Sequence, residues 1–170
     1  MKPIKVLMVC MGNICRSPTA EGVLRRRLRA AGLADAVLVD SAGTHDYHVG
    51  EPPDHRSTKH AKRRGYDLSS LRARQVMPAD FERFDLMLAM DGDNFALLQA
   101  QCPPEHRAKL RLLTEFARMH ASPDVPDPYN SGAEGFEHVL DLVEDACDGL
   151  ISHLQQELGA SRQSGGTSSA

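Results

Sequence analysis

Ile4-Lys5-Val6-Leu7-Met8-Val9-Cys10-Met11-Gly12-Asn13-Ile14-Cys15-Arg16-Ser17-Pro18 passes from an apolar run, through a short polar loop, into a helical pattern. Ile4 to Val9 is rich in apolar residues with few polar breaks, as a strand buried on both faces requires. From Ser17 the spacing turns helical. Ser17 suits an N-cap and Pro18 the first helical position, Ala20, Val23, Leu24, Leu28 and Ala31 share one face, and Gly32 closes the helix. Arg25, Arg26, Arg27 and Arg29 fall mostly outside that face and read as a solvated surface rather than a nucleic-acid patch.

The same alternation runs on through the chain. Val37 to Val39 reads as a second strand, Asp54 to Arg64 as a helix stopped by Gly65, and Asp85 to Ala89 as a third strand. Asn94 to Ala100 reads as helix, Leu110 to Leu113 as a fourth strand, and Ala133 to Leu158 as a long helix. In that last helix Phe136, Val139, Leu140, Val143, Cys147, Leu150, Ile151 and Leu154 keep a 3.6-residue period, which makes Cys147 an inert core thiol. Strands separated by helices predict a parallel sheet covered on both faces, an α/β sandwich. Ligands of such sheets sit beyond the carboxyl ends of the strands, here the segments after Val9, Val39 and Ala89.

With 170 residues, 41% hydrophobic and 25% charged, the chain suits one packed domain, assigned to 1–160, with a polar tail expected to be disordered over 161–170. No apolar run approaches the ~20 residues of a membrane-spanning helix, and the first residues do not read as a secretory signal. A net charge of −3 argues against general affinity for nucleic acid or anionic membrane. Four cysteines are too sparse for a disulfide scaffold and none is spaced for zinc, so a reducing, cytoplasmic setting is expected. His45 and His48 have no second cluster at ligand-like spacing, so no metal and no cofactor is expected.

The Cys10–Arg16 loop carries the chemistry. It joins a buried strand to a helix N-terminus, where unpaired N–H groups and the helix dipole attract an anion. Gly12 and Asn13 tolerate the positive φ that lets successive N–H groups converge into an anion nest. Cys10 stands at its entrance in a field that favours thiolate, Arg16 can fork onto two phosphoryl oxygens, and Ser17 can donate to the sulfur. The nucleotide-binding loops Gly-x-x-x-x-Gly-Lys-Ser/Thr and Gly-x-Gly-x-x-Gly are missing at this position. The expected ligand is a phosphate or similar oxyanion that meets a nucleophile.

Val6 to Arg16 with Ser17-Pro18-Thr19-Ala20-Glu21, then Ser41-Ala42-Gly43-Thr44, His48-Val49-Gly50-Glu51-Pro52-Pro53-Asp54, Ala73-Arg74-Gln75, Met90-Asp91 and Asp127-Pro128-Tyr129, follow one another in a familiar order. The sequence resembles the low-molecular-weight protein tyrosine phosphatases over roughly Ile4 to Leu158, and the His48–Asp54 stretch is most similar to bacterial members. The resemblance implies a three-layer sandwich with a four-stranded parallel sheet, flavodoxin-like and doubly wound. It implies hydrolysis of phosphotyrosine in a protein substrate through a covalent phosphocysteine on Cys10, with Arg16 and Asp127 as catalytic partners. Met11, Gly12, Asn13, Ile14, Cys15 and Ser17 would complete the phosphate-binding loop, with Ser41 bracing it. Cys15 is the family's neighbouring loop cysteine, implied to form a reversible disulfide with the nucleophile on oxidation.

A departing phenolate needs a proton. In Ser122 to Asn130 three prolines stiffen a loop that offers Asp124 and Asp127, equal candidates on physical grounds. The resemblance selects Asp127. Tyr47 and Tyr129 are expected to wall the pocket for a phenyl ring. Two positions depart from common patterns: Leu71 stands where many members carry a loop-supporting histidine, and Asn130 where eukaryotic members often carry a second tyrosine. Two related chemistries compete. A protein-arginine phosphatase usually has threonine at the position of Ile14, and a thiol-dependent arsenate reductase needs a cysteine relay that Phe81 to Gln101 lacks.

Overall fold

The computed structural model describes residues 2–166. Its first strand, β1 (Ile4–Cys10), leads into α1 (Arg16–Ala30) and then β2 (Val37–Gly43). Next come α2 (His55–Arg63), α3 (Pro78–Arg83) and β3 (Leu86–Ala89). The chain ends with α4 (Gly92–Gln101), β4 (Leu110–Leu112) and α5 (Ala133–Gly166). All pairings in the sheet are parallel and the order is β2-β1-β3-β4. The doubly wound α/β expectation is met. β1 is central, with Val6 to Val9 fully buried. Alternate residues of the strand serve the two faces. Val6 and Met8 join the core formed with α1 and α5, including Leu24, Leu28, Val143 and Leu150. Leu7 and Val9 join Phe81, Phe84 and Leu98 of the α3/α4 side.

Because β2 and β3 lie on opposite sides of β1, strand order reverses there, and the loop after β1 opens into the crevice that this reversal leaves. Among the described residues no helix is long and apolar enough to cross a membrane.

Several boundaries differ from the sequence reading. β2 runs on to Gly43, because Ser41, Ala42 and Gly43 pair with Met8, Val9 and Cys10 although their own propensity is low. α3 is additional, being too short to show an apolar period. α1 is capped by Cys15 rather than Ser17; Ser17 lies inside the first turn, its hydroxyl committed to the sulfur of Cys10. α5 continues through Gly166, past the boundary at 160, and runs through Gly149 and Gly159 without breaking. The tail expected to be disordered therefore begins within a helix, and residues 167–170 lie outside the described part. The arginines of α1 are less free than expected. Arg27 meets Glu144 at 3.1 Å and Asp148 at 2.5 Å on α5, Arg25 pairs with Glu21, and Arg26 donates to the carbonyl of Gly65. Cys147 is wholly buried, and burial pushes its thiol far up.

Candidate active site

The loop between β1 and α1 is shaped by what its carbonyls do. The carbonyl oxygens of Cys10, Met11 and Ile14 accept from the N–H groups of Thr44 (2.8 Å), His45 (3.0 Å) and Asp54 (2.8 Å). Drawing the carbonyls outward leaves the loop's N–H groups for the concave side, as an anion nest requires. Asn13 has φ 59°, the one non-glycine positive φ among the described residues, and its N–H reaches back to Cys10 Sγ at 3.3 Å.

Gly12 corrects the expectation made for it, because its φ is not positive. What it supplies is space: a Cβ there would lie 2.9 Å from Cδ2 of His48, whose ring packs on the loop.

Beneath the loop a chain of hydrogen bonds runs inward. Cys10 Sγ lies 3.0 Å from the Ser17 hydroxyl. Asn13 Nδ2 donates to Ser17 Oγ (2.7 Å) and to Ser41 Oγ (3.0 Å), while its Oδ1 accepts from the Arg74 N–H (3.0 Å). The Ser41 hydroxyl donates in turn to Glu21 Oε1 at 2.6 Å. Glu21 is buried, and burial pushes its carboxyl up despite Ser41 and Arg25, which favour the charged form. Asn13 and Ser17 thus brace the loop from below rather than line the cavity. Leu71 takes no part: it packs on the core of the α1/α5 face, and the bracing closes through Glu21 and Arg25 instead of a side chain at 71.

A cavity of about 340 Å³ opens above the loop. Cys10, Met11, Gly12, Ile14, Cys15 and Arg16 form its floor, and Tyr47, His48, Asp127, Tyr129 and Asn130 its sides. Arg16 is 2% exposed, and its Nη1 donates to Asp91 Oδ2 (2.6 Å) and the Val125 carbonyl (3.1 Å). Burial opposes its charge, but the neighbouring Cys10 sulfur and Asp91 outweigh that and raise it overall. Asp127 Oδ2 stands 3.9 Å from Arg16 Nη2, and Oδ1 accepts from the Tyr129 N–H at 3.0 Å. Asp124 instead accepts from the Gly92 N–H at the start of α4. This separates two carboxylates that are equal in the sequence.

Tyr47 is 67% exposed and stacks on His45 with centroids 5.0 Å apart, while His48 Nδ1 meets Glu51 at 2.7 Å. Cys15 is buried on the floor, its thiol pushed up by desolvation to about 12.

Glu21, Asp91 and His48 lie in the stretches that carry the resemblance, but reasoning from the sequence gives them no role in the site. Asp91 has a signal, since it caps α4 through Asn94 N and follows β3 where the strand-end rule points. A buried glutamate on a helix bearing five arginines has none.

A cysteine, a buried arginine and a carboxylate face one cavity over a nest of N–H groups. The family model described as low molecular weight phosphotyrosine protein phosphatase matches residues 5–161. The chain belongs to that family. A low molecular weight protein-tyrosine-phosphatase of Streptomyces coelicolor is 42% identical over 157 residues, covering 91% of this chain and 95% of the relative. A protein tyrosine phosphatase of Entamoeba histolytica, solved with Hepes in the active site, superposes with a TM-score of 0.89 at 41% identity, covering 91% of this chain and 98% of the other. Vibrio vulnificus Wzb, solved in complex with benzylphosphonate, superposes with a TM-score of 0.77 at 31% identity over 89% of this chain and 99% of Wzb. The family member described here is accordingly a phosphatase.

Proposed function

We propose that the chain hydrolyses phosphotyrosine in protein substrates through a phosphocysteine on Cys10, with Asp127 as acid and then base. The observation that carries this reading is the convergence of Cys10, Arg16 and Asp127 on one cavity, with Asp127 3.9 Å from the guanidinium.

The phosphoryl oxygens sit in the nest and against the Arg16 fork, which gain strength as charge spreads over them in the transition state. The Cys10 thiolate attacks phosphorus in line with the tyrosyl oxygen. That P–O bond breaks, and the phenolate leaves with the proton of Asp127. Asp127, now ionised, takes a proton from water, which attacks the phosphocysteine and releases orthophosphate and the thiolate. Ser17, 3.0 Å from the sulfur, stabilises the thiolate as attacker and as leaving group.

Tyr47 and Tyr129 supply walls for the phenyl ring. The benzylphosphonate held by the Vibrio relative, an aromatic ring on a phosphonate, is a ligand of the same kind. Ile14 on the floor favours an aryl ester over phosphoarginine. The mechanism needs Cys10 reduced, which suits a reducing, cytoplasmic setting. There peroxide would convert the thiolate to a sulfenic acid, and the Cys15 thiol would close a disulfide with loss of water.

Hydrolysis of para-nitrophenyl phosphate with excess chelator, by wild type, Cys10→Ser and Asp127→Asn, tests the reading. Activity in wild type, its loss in Cys10→Ser and a large fall in Asp127→Asn are expected. Full activity in Cys10→Ser, or strict dependence on added metal, would overturn it. Comparing phosphotyrosine with phosphoarginine peptides then fixes the substrate class.

A further inference from the structure

Arg56 lies just outside the cavity wall and touches Asp54, Phe136 and Tyr129. Its Nε and Nη2 clasp Asp54 Oδ1 and Oδ2 at 3.1 and 3.0 Å. Its Cζ lies over the ring of Phe136 on α5, 4.7 Å from the centroid, and over the ring of Tyr129, 5.4 Å from the centroid. Asp54 is fixed in turn, capping α2 through the Arg56 N–H at 2.8 Å while its own N–H donates to the Ile14 carbonyl. Tyr129 forms part of the cavity wall and is 47% exposed. A half-exposed tyrosine on a loop would otherwise sample several rotamers.

Resting on the phosphatase reading above, we propose that Arg56 is a positioning residue for aryl recognition. Clamped by Asp54 and seated on Phe136, its guanidinium backs the Tyr129 ring and holds it as the wall on which the aryl group of the substrate packs. A planar, delocalised cation suits this place, because it can clasp a carboxylate along its edge while stacking through its face. Lysine carries the same charge but cannot do both. Two of its five N–H donors, on Nε and Nη2, are held by Asp54.

The test is binding without turnover. Calorimetry with benzylphosphonate, methylphosphonate and orthophosphate on wild type, Arg56→Met, Arg56→Lys, Tyr129→Leu and Arg56→Met/Tyr129→Leu separates the ring from the phosphoryl group. Arg56→Met and Arg56→Lys are expected to weaken benzylphosphonate by about two- to fivefold, the range of a surface cation–aromatic contact. Methylphosphonate and orthophosphate should bind as to wild type. In the Tyr129→Leu background Arg56→Met should have no further effect on benzylphosphonate.

Equal weakening of all three ligands would place the effect on the phosphate loop through Asp54 and Ile14, and would overturn the proposal. So would an undiminished Arg56→Met effect without Tyr129, or unchanged benzylphosphonate binding in both single variants. Orthophosphate failing to bind wild type would remove the phosphatase reading itself, and this proposal with it.

Discussion

Asn13 Nδ2 donates to Ser17 Oγ at 2.7 Å, and this contact leaves the Ser17 hydrogen for a thiolate on Cys10. An amide nitrogen can only donate, so the Ser17 oxygen accepts there and keeps its own hydrogen. The nearest acceptor for that hydrogen is Cys10 Sγ at 3.0 Å, against 3.5 Å for the Ala42 carbonyl. The amide is itself oriented by the Arg74 N–H on Oδ1. A donor is thus aimed at the sulfur before any substrate arrives, which is preorganisation in the sense that matters for catalysis.

Ser41→Ala removes the acceptor of one Asn13 hydrogen and the donor to Glu21 together. Leaving a buried polar group unsatisfied costs about 1–3 kcal/mol, and Glu21 answers by taking a proton more readily. The expected result is a lower kcat/KM and a changed pH dependence of Cys10 alkylation. An unchanged titration would show that the bracing ends at Asn13.

Gly43→Ala tests how closely β2 supports the loop. Its Cβ would fall 2.6 Å from the Met11 carbonyl oxygen and 3.2 Å from the Asn13 N–H nitrogen, both backbone atoms. The loop must shift, so orthophosphate inhibition should weaken by roughly tenfold or more, given the 1–3 kcal/mol typical of overpacking. A variant that kept wild-type inhibition would mean that the strand end yields instead.

Asp145 on α5 ties down the segment leading to the acid loop. Its carboxylate accepts from the N–H groups of Arg118, Met119 and His120. Burial alone would raise its carboxyl, but those donors and the His120 side chain hold it below the ordinary value. A carboxylate depressed in the folded state contributes stability above its unfolded pKa, and that contribution is lost as pH falls through the folded one. Asp145→Asn should therefore destabilise the fold by about 1.5–3 kcal/mol near neutrality, with the gap to wild type closing in acid. Thermal unfolding followed from pH 7 to pH 3 measures it, and a gap constant with pH would contradict the assignment.

Cys15→Ser addresses the oxidation chemistry. Burial holds the Cys15 thiol at about 12, so it is no rival nucleophile at neutral pH, and the variant should hydrolyse para-nitrophenyl phosphate at close to the wild-type rate. After peroxide followed by dithiothreitol, the variant should recover less activity than wild type. Equal recovery would leave Cys15 a filler of the cavity floor.

Much of the fold is legible in the amino-acid sequence. The β1 run needs only its apolar composition, because a central parallel strand is buried on both faces and shows no alternation to misread. The long helix needs only its period. The end of β2 is hidden, since Ser41-Ala42-Gly43 is held by β1 on one side and by the Gln75 bridge beside Gly43 on the other, tertiary effects that outweigh propensity. Within the site, Cys10 and Arg16 are set by a local loop and can be read locally. Asp127 cannot be told from Asp124 without the resemblance, because only the fold brings one to Arg16 and the other to Gly92. The bracing role of Glu21 is hidden for the same reason: its partner Ser41 arrives from β2.

In the proposed reaction Cys10 carries the phosphoryl group between two half-reactions. Para-nitrophenolate leaves with little need of an acid, so Asp127→Asn should still be phosphorylated while losing the base that activates water. Acid quenching of that variant during turnover, followed by mass spectrometry of the peptide containing Cys10, is the most direct measurement. One phosphoryl group on Cys10 is expected, absent from Cys10→Ser/Asp127→Asn. Steady hydrolysis with no phosphoryl group on Cys10 at any time would contradict that reaction and leave direct attack by water.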